Sequence, residues 1–378
     1  PVSVLVDEAP VLNRPGSWQS KENLLTFDSA LALGGLVERR LPSDFPECVR
    51  CRNNLERATC LLIAHPNNCA KRLIWERYDH QVQANTVALP EASDSAILRL
   101  KGRDCALAIT TDGPGHLCQI APFVGGTYAI KEAYLNLLCS GAEPIAYTNC
   151  LNFASPEEAE VMGSFQLVVE GMAHASKALS TPVVSGNVSF YNESSGARII
   201  PTPVIGMLGI VPQMSRSLFI AWEPDKAIFL ITSGKFTLYG SSLFTDLFQQ
   251  NLGLLEEIDF GFLKRLKDFV MAGTVDHLIS SLHDIDSSGL VLSLIECARN
   301  GVGARVVFPK KWSEDVEKYF FGYPPIGVVG TCAEEAFSRI TKLGESLGLE
   351  VVRLGRTGGA TLSVFVDGER SPLVNFEV

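Results

Sequence analysis

The stretch ALAITTDGPGHLCQIAPFVGGTYAIKEAYLNLLCSGAEPIAYTNCLNF, Ala106–Phe153, decides the fold class. Ala106 to Thr110 is a short apolar run that predicts a strand, and it runs straight into the glycine-rich TTDGPGH. From Gly125 or Gly126 to about Cys139, the residues Ile130, Ala133, Tyr134, Leu137 and Leu138 recur at helical spacing. The helix they predict follows two glycines and ends near Ser140 and Gly141. Pro144 to Thr148 reads as the next strand. Strand, helix and strand in this order call for a sheet covered by helices, an α/β or α+β arrangement.

Outward from this stretch the alternation continues. Pro66 to about Gln83 carries helical spacing after Pro66 and Asn67, and LRLKGRDC supplies a strand before Ala106. Downstream, Ser155, Pro156, Glu157 and Glu158 open a long helix that Thr181 and Pro182 stop. Pro182 to Val184 is a short strand, and the apolar run Ile199 to Val211 is cut by Pro201 and Pro203. The character changes near residue 215. A second unit follows, with strands at Ala227–Thr232, Gly327–Gly330, Val351–Leu354 and Thr361–Val366. Its helices are expected at Ser242–Leu252, Phe260–Ala272 and Ala333–Leu347, with a loop and helix at HDIDSSGLVLSLIECARNG. The division reads as a connector over 1–60, a first domain over 61–214 and a second over 215–378.

Composition narrows the function classes. The 378 residues, at about 150 per domain, allow two or three domains. A formal charge of −10 with no long basic run excludes nucleic-acid binding as the main task. No apolar run reaches the ~18 residues of a membrane span. The start, PVSVLVDEAP, has neither a basic n-region nor an apolar h-region, so it is no signal peptide; without a Met it reads as a processed or excised piece. Ten scattered cysteines in so long a chain read as reduced thiols, which places the protein in the cytoplasm. Cys48 and Cys51 form a C-x-x-C, but a zinc site needs a second well-spaced pair.

Three segments combine Gly or Asn with small polar or acidic residues after an apolar strand: TTDGPGH (Thr110–His116), TNCLNF (Thr148–Phe153) and SGNVS (Ser185–Ser189). Phosphate binding needs close backbone approach, amide donors and a metal ligand, and together the three loops contain those parts. Taken singly, each is also what an ordinary turn looks like. Asp112 is a Mg²⁺ ligand or a turn cap; Asn187 is a ligand or a left-handed turn residue. No P-loop, G-x-S-x-G elbow or H-E-x-x-H is present, which excludes P-loop kinases, α/β-hydrolases and zincins.

The strings YDHQVQANTV (Tyr78–Val87), ITTDGPGH, APFVGGTYAIKEA, GAEPIAYTNCLNF, TPVVSGNVSFYNES and IPTPVIGMLGIV resemble, in order and spacing, the C-terminal half of the synthetase subunit of phosphoribosylformylglycinamidine synthase. The likeness is strong over about 60–212 and looser to the end, through FLITSGKFTLYGSS, HDIDSSGL and VVRLGRTGG. It implies an aminoimidazole ribonucleotide synthetase-like N-type domain, a sheet with flanking helices, followed by a smaller α/β C-type domain. The activity it implies is an ATP-dependent C–N ligation in purine biosynthesis. ATP phosphorylates the amide oxygen of formylglycinamide ribonucleotide, and glutamine-derived ammonia displaces phosphate to give the amidine.

ATP and Mg²⁺ are the implied cofactors. Implied partners are the N-terminal half of the same enzyme and, in a multi-chain form, a glutaminase subunit and a small bridging subunit. Carried over by position, Gly186 and Asn149 contact ATP, Asn187 binds Mg²⁺ with Asp112 as a second metal residue, and Ser189 contacts the substrate. Asn149 departs from the family, which has Asp in that string, and so brings no negative charge. The family's catalytic histidines belong to the first half; at the pseudo-equivalent place, DGPGH keeps His116 but has Pro114 for the central histidine. No catalytic residue is therefore expected in this half, and alone it should be inactive. The competing readings are a non-catalytic scaffold half, which Asn149 and Pro114 favour, and a free-standing relative such as selenophosphate synthetase, against which TNCLNF and SGNVSFYNE speak.

Overall fold

Two sheets carry the chain. The computed structural model describes residues 53–68, 70–238, 242, 244–245 and 256–378. The Cys48/Cys51 pair, nearly all of the expected connector and most of the helix expected at Ser242–Leu252 lie outside the described residues.

The first sheet is built from β1 (Ala96–Arg99), β2 (Ala106–Asp112), β3 (Glu143–Asn152), β4 (Val183–Ser189) and β7 (Thr202–Val211), in the order β1-β2-β7-β3-β4. All neighbours are antiparallel except β3 and β4. Between β4 and β7 lies a small ribbon, β5 (Glu193–Ser194) with β6 (Ala197–Arg198). β7 is one continuous central strand whose residues alternate strictly between buried and half-buried. Pro203 does not break it, because the pairing with β2 begins only at Ile205, beyond the proline.

Helices cover one face. After α1 (Asn54–Ile63) and the single turn α2 (Arg72–Trp75) come α3 (Gly115–Ile120), α4 (Pro122–Cys139) and α5 (Ala159–Leu179). Pro122 at the first turn starts α4, and Ser180, in a left-handed conformation, ends α5. α4 and α5 cross with their backbones in contact. A Cβ at Gly126 would overlap the carbonyl of Val168, and one at Gly171 would overlap the carbonyl of Phe123.

The second sheet has the order β14-β13-β10-β12-β8-β11-β9, from β8 (Lys226–Ser233), β9 (Ser281–Asp284), β10 (Ala304–Phe308), β11 (Ile326–Ala333), β12 (Val352–Thr357), β13 (Thr361–Val366) and β14 (Val374–Glu377). Its helices are α6 (Phe260–Val275), α7 (Leu290–Cys297), α8 (Val316–Phe321) and α9 (Phe337–Ser346). The change of sheet falls between Val211 and Lys226. That crossing segment stitches the two units together: Leu218 N–H donates to the Ser140 carbonyl and Ile220 N–H to that of Ala92, while the Phe219 carbonyl accepts from Leu282 N–H.

Several expected elements differ from those observed. The helix expected over Pro66–Gln83 is only the turn α2, and Leu73 and Ile74 are exposed, because among the described residues nothing packs on its apolar stripe. The helix that does form, α1, was expected to be connector. Asn53 caps it by accepting from Glu56 N–H, and the Asn53 amide also donates to the Leu373 carbonyl of the second unit, 2.6 Å away. α9 starts at Phe337 rather than Ala333, since β11 runs on to Ala333. No described helix is long and apolar enough to cross a membrane, and every described cysteine is a free thiol.

Candidate functional site

The three segments expected as loops are strand ends. Thr110–Asp112 closes β2, Thr148–Asn152 completes β3, and Ser185–Ser189 is the far part of β4. Register then sorts the candidate residues. Asp112 pairs with Ile205, Ile205 with Asn149, and Asn149 with Gly186, so one row crosses four strands. Ile205 is fully buried against the helices. Asp112, Asn149 and Gly186 therefore face the helix-covered side, since directly paired residues share a face. One residue further along, Asn187 pairs with Cys150, and Ser189 with Asn152, on the opposite face.

Asn149 and Gly186 are in direct contact: a Cβ at Gly186 would overlap the Asn149 carboxamide oxygen. On the outer face, the Asn187 amide points to the Cys150 sulfur at 3.7 Å. The Ser189 hydroxyl donates to Asn192 Oδ1 at 3.2 Å, and Asn192 in turn donates to the carbonyls of Ser189 and Phe153. Apart from exposed Thr111, Thr148 and Ser185, this outer face is largely apolar and open, with Ile109 and Ile145 exposed and β4 accessible along almost its whole length. Asp112 on β2 and Asn187 on β4 thus lie on opposite faces, three strand spacings apart, about 14 Å. They are not brought together around one ion.

Asp112 belongs instead to a pocket between the two units, where α4 packs on β9. Its carboxylate accepts from Thr110 Oγ1 and from Asn136 Nδ2, both at 2.8 Å. Glu132 and Asn136, one helical turn apart, present a polar edge on the otherwise apolar α4. Lys131 Nζ lies 2.7 Å from Glu132 Oε2. From the second unit, the Asp284 carboxyl hydrogen-bonds that of Glu132, while Asp284 Oδ2 has no donor although the residue is 5% exposed. Asp286 accepts from Ser288, whose hydroxyl also donates to Asn68.

Crowding sets the protonation of this pocket. Burial, then the charge of Glu132, pushes Asp112 up to about 7. Burial and neighbouring carboxylates raise Asp284 well above its ordinary range, and burial with Glu296 takes Asp286 to about 6. Burial also pushes Glu132 up, but Lys131 and the Asp284 hydrogen bond outweigh it and the net shift is down.

Beside the pocket, His283 joins the units. Its Nδ1 is 2.7 Å from Asp94 Oδ1 and its Nε2 3.0 Å from Glu296 Oε2, and Asp94 also accepts from Asp284 N–H. Burial alone would depress the imidazole, yet the two carboxylates raise it well above its ordinary value. Asp94, His283 and Asp284 are close enough to hold an ion. An imidazolium donating from both nitrogens, however, has no lone pair to give a metal.

Among the sequence candidates, Asp112 is the one that the structure places in this pocket. Glu132, Asn136 and Asp284 were missed; the polar i, i+4 pair inside AIKEAYLN and the acids of HDIDSSGL were the available signals. Asp112, Glu132 and Asp284 are not grouped closely enough to surround one ion, so this cluster does not fit a Mg²⁺ site.

Comparison with known proteins identifies the family and the fold. The family model "AIR synthase related protein, N-terminal domain" matches residues 92–211, the span of the first sheet. The phosphoribosylformylglycinamidine synthase subunit PurL of Azorhizobium caulinodans is 34% identical over 377 residues, 98% of this chain but 49% of that protein. The chain thus spans about half the length of the curated relatives it matches. Among solved structures, Thermotoga maritima PurL complexed with FGAR aligns with a TM-score of 0.68 at 14% identity, over 86% of this chain and 52% of that one. The same protein complexed with ATP aligns at 0.52 and 21% identity, over 86% and 44%. Sequence similarity along almost the whole chain, with the shared fold, makes this chain a member of the phosphoribosylformylglycinamidine synthase PurL family.

Proposed function

We propose that this chain is the C-terminal half of an ATP-dependent amidine synthase of purine biosynthesis and supplies one wall of an active site completed by the N-terminal half. The carrying observation is the outer face of the first sheet, an open, largely apolar surface that ends in the polar group Asn187, Ser189 and Asn192. A surface of this kind is what a second sheet covers. Once covered, the polar end is enclosed and ready to hold a ligand.

In the reaction, the amide oxygen of formylglycinamide ribonucleotide takes the γ-phosphoryl group of ATP, and ammonia displaces phosphate to leave the amidine. Ser189, fixed through Asn192, orients the ribonucleotide. Gly186 and Asn149, side by side at the edge of the sheet on its helix-covered face, would meet the nucleotide from that side, with Asn149 offering an amide in place of a carboxylate. Mg²⁺, when bound, neutralises charge on the transferring phosphoryl oxygens. Asn187, on the shared outer face, would hold it; Asp112, on the opposite face and three strands away, would not share that ion. Ammonia comes from a glutaminase subunit, with a small bridging subunit in a multi-chain enzyme; the solved structure of PurLQS from Thermotoga maritima, whose fold aligns with this chain, supports that reading.

Calorimetric titration of Mg²⁺-ATP into this chain, alone and with a separately made N-terminal half, tests the proposal when amidine formation is read in the same samples. Activity confined to the mixture is expected. An inactive mixture of two folded halves would refute a shared site.

A further inference from the structure

Three side chains in a row on the outer face of the first sheet decide which end of an amide faces outward. Asn152 is the anchor. Its Nδ2 donates to two backbone carbonyls, that of Cys150 at 3.1 Å and that of Thr202 at 3.2 Å. A carbonyl only accepts, so the nitrogen must lie on that side and the Asn152 oxygen is turned away from it. Cys150 Sγ is 3.9 Å from that oxygen, within reach of a weak S–H donor. With its proton directed at Asn152, the sulfur meets the next side chain as an acceptor. That side chain is Asn187, paired with Cys150 across β3 and β4, and its Nδ2 lies 3.7 Å from the sulfur. The Asn187 oxygen is left for the exposed side, with no donor among the described residues.

We infer that Cys150 is a positioning residue: its thiol passes the orientation of Asn152 on to Asn187 and presents the Asn187 carboxamide oxygen, rather than its nitrogen, to the ligand. The inference rests on the reading of Asn187 as the Mg²⁺ residue. One fixed protein oxygen suits that ion, which keeps several waters and takes further ligands from phosphates. An amide nitrogen in the same place would turn its hydrogens to the cation and offer it no ligand.

The test is calorimetric titration of a non-hydrolysable ATP analogue into the complete two-half enzyme, once with Mg²⁺ and once with a chelator, so that the ratio of the two affinities reads the share of the ion. C150A should lower that ratio about three- to tenfold, the worth of one orienting hydrogen bond, and leave the metal-free affinity unchanged. C150V, which keeps the bulk and suits a strand, should do the same. N187D presents two equivalent oxygens and needs no orienting, so adding C150A to it should lower the ratio no further. An unchanged ratio in C150A and C150V would overturn the inference. So would an equal fall of both affinities, which marks a structural role, or an undiminished effect of C150A in the N187D background. N187A separates the two readings. A lowered ratio in N187A beside an unchanged one in C150A leaves Asn187 as the Mg²⁺ residue and removes only the role of Cys150. An unchanged ratio in N187A removes both.

Discussion

Asp112→Asn should stabilise the metal-free chain at alkaline pH. Folding moves the Asp112 carboxyl from an ordinary value of 3.8 to about 7, chiefly by burial and then by Glu132. Between those values the folded state holds a proton that the unfolded state has lost, so stability falls as pH rises from about 4 to 7 and is flat beyond for this group. At ~1.4 kcal/mol per pKa unit the ceiling is about 4 kcal/mol. Asp112 is only partly buried, so solvent screens part of it, and about 1–2 kcal/mol is expected. Asparagine keeps the geometry: its oxygen still accepts from Asn136, and its nitrogen can donate to the Thr110 hydroxyl. Urea unfolding of wild type and D112N, with a chelator present, at intervals from pH 4.5 to 8 reads the effect. D112N should be the more stable at pH 8, with the gap narrowing towards pH 4.5. Asp284 and Asp286 titrate in both proteins, so the difference isolates Asp112. A D112N chain less stable than wild type at pH 8, or a gap independent of pH, would refute the reasoning.

Gly171→Ala should cost more than about 2 kcal/mol in denaturant unfolding, because the new methyl meets the Phe123 carbonyl of a helix that cannot withdraw. Gly186→Ala meets only the end of the Asn149 side chain, so its unfolding free energy should change by less than about 1 kcal/mol while the KM for ATP in the two-half enzyme rises. In that enzyme Asn187→Ala should slow phosphoryl transfer by more than about tenfold, and Ser189→Ala should raise the ribonucleotide KM with a smaller change in kcat; unaltered kinetics would remove those residues from the site. Asp94→Asn takes charge from the His283 bridge and should lower the melting temperature at neutral pH, where the imidazolium still needs its partner.

The first sheet was legible where periodicity was strong. Helix α4 announced itself through Ile130, Ala133, Tyr134 and Leu137, and the strand Ala106–Thr110 through its apolar run. β7 was harder: its prolines looked like breaks, and only the register shows that Pro203 sits past the end of β2. β9 was hidden because SLHD is four residues of mixed character, buried by its neighbours rather than by its own pattern. The site candidates were found as residue types, but their sorting onto two faces depends on pairing register, which no single strand carries. The pocket was out of reach for the same reason. Asp112, Glu132 and Asp284 come from three elements, and only tertiary packing makes them neighbours.

The glycine seam between α4 and α5 has a mechanical consequence. Helices that touch backbone to backbone have no intervening side-chain layer to shear or repack, so sheet, α4 and α5 move as one body. Glu132 and Asn136 are riveted to that body, and Asp284 to the other. Any change in the separation of Glu132 and Asp284 is then a movement of one unit against the other, not a rearrangement within the first. Labels placed one on each unit would therefore report that movement directly.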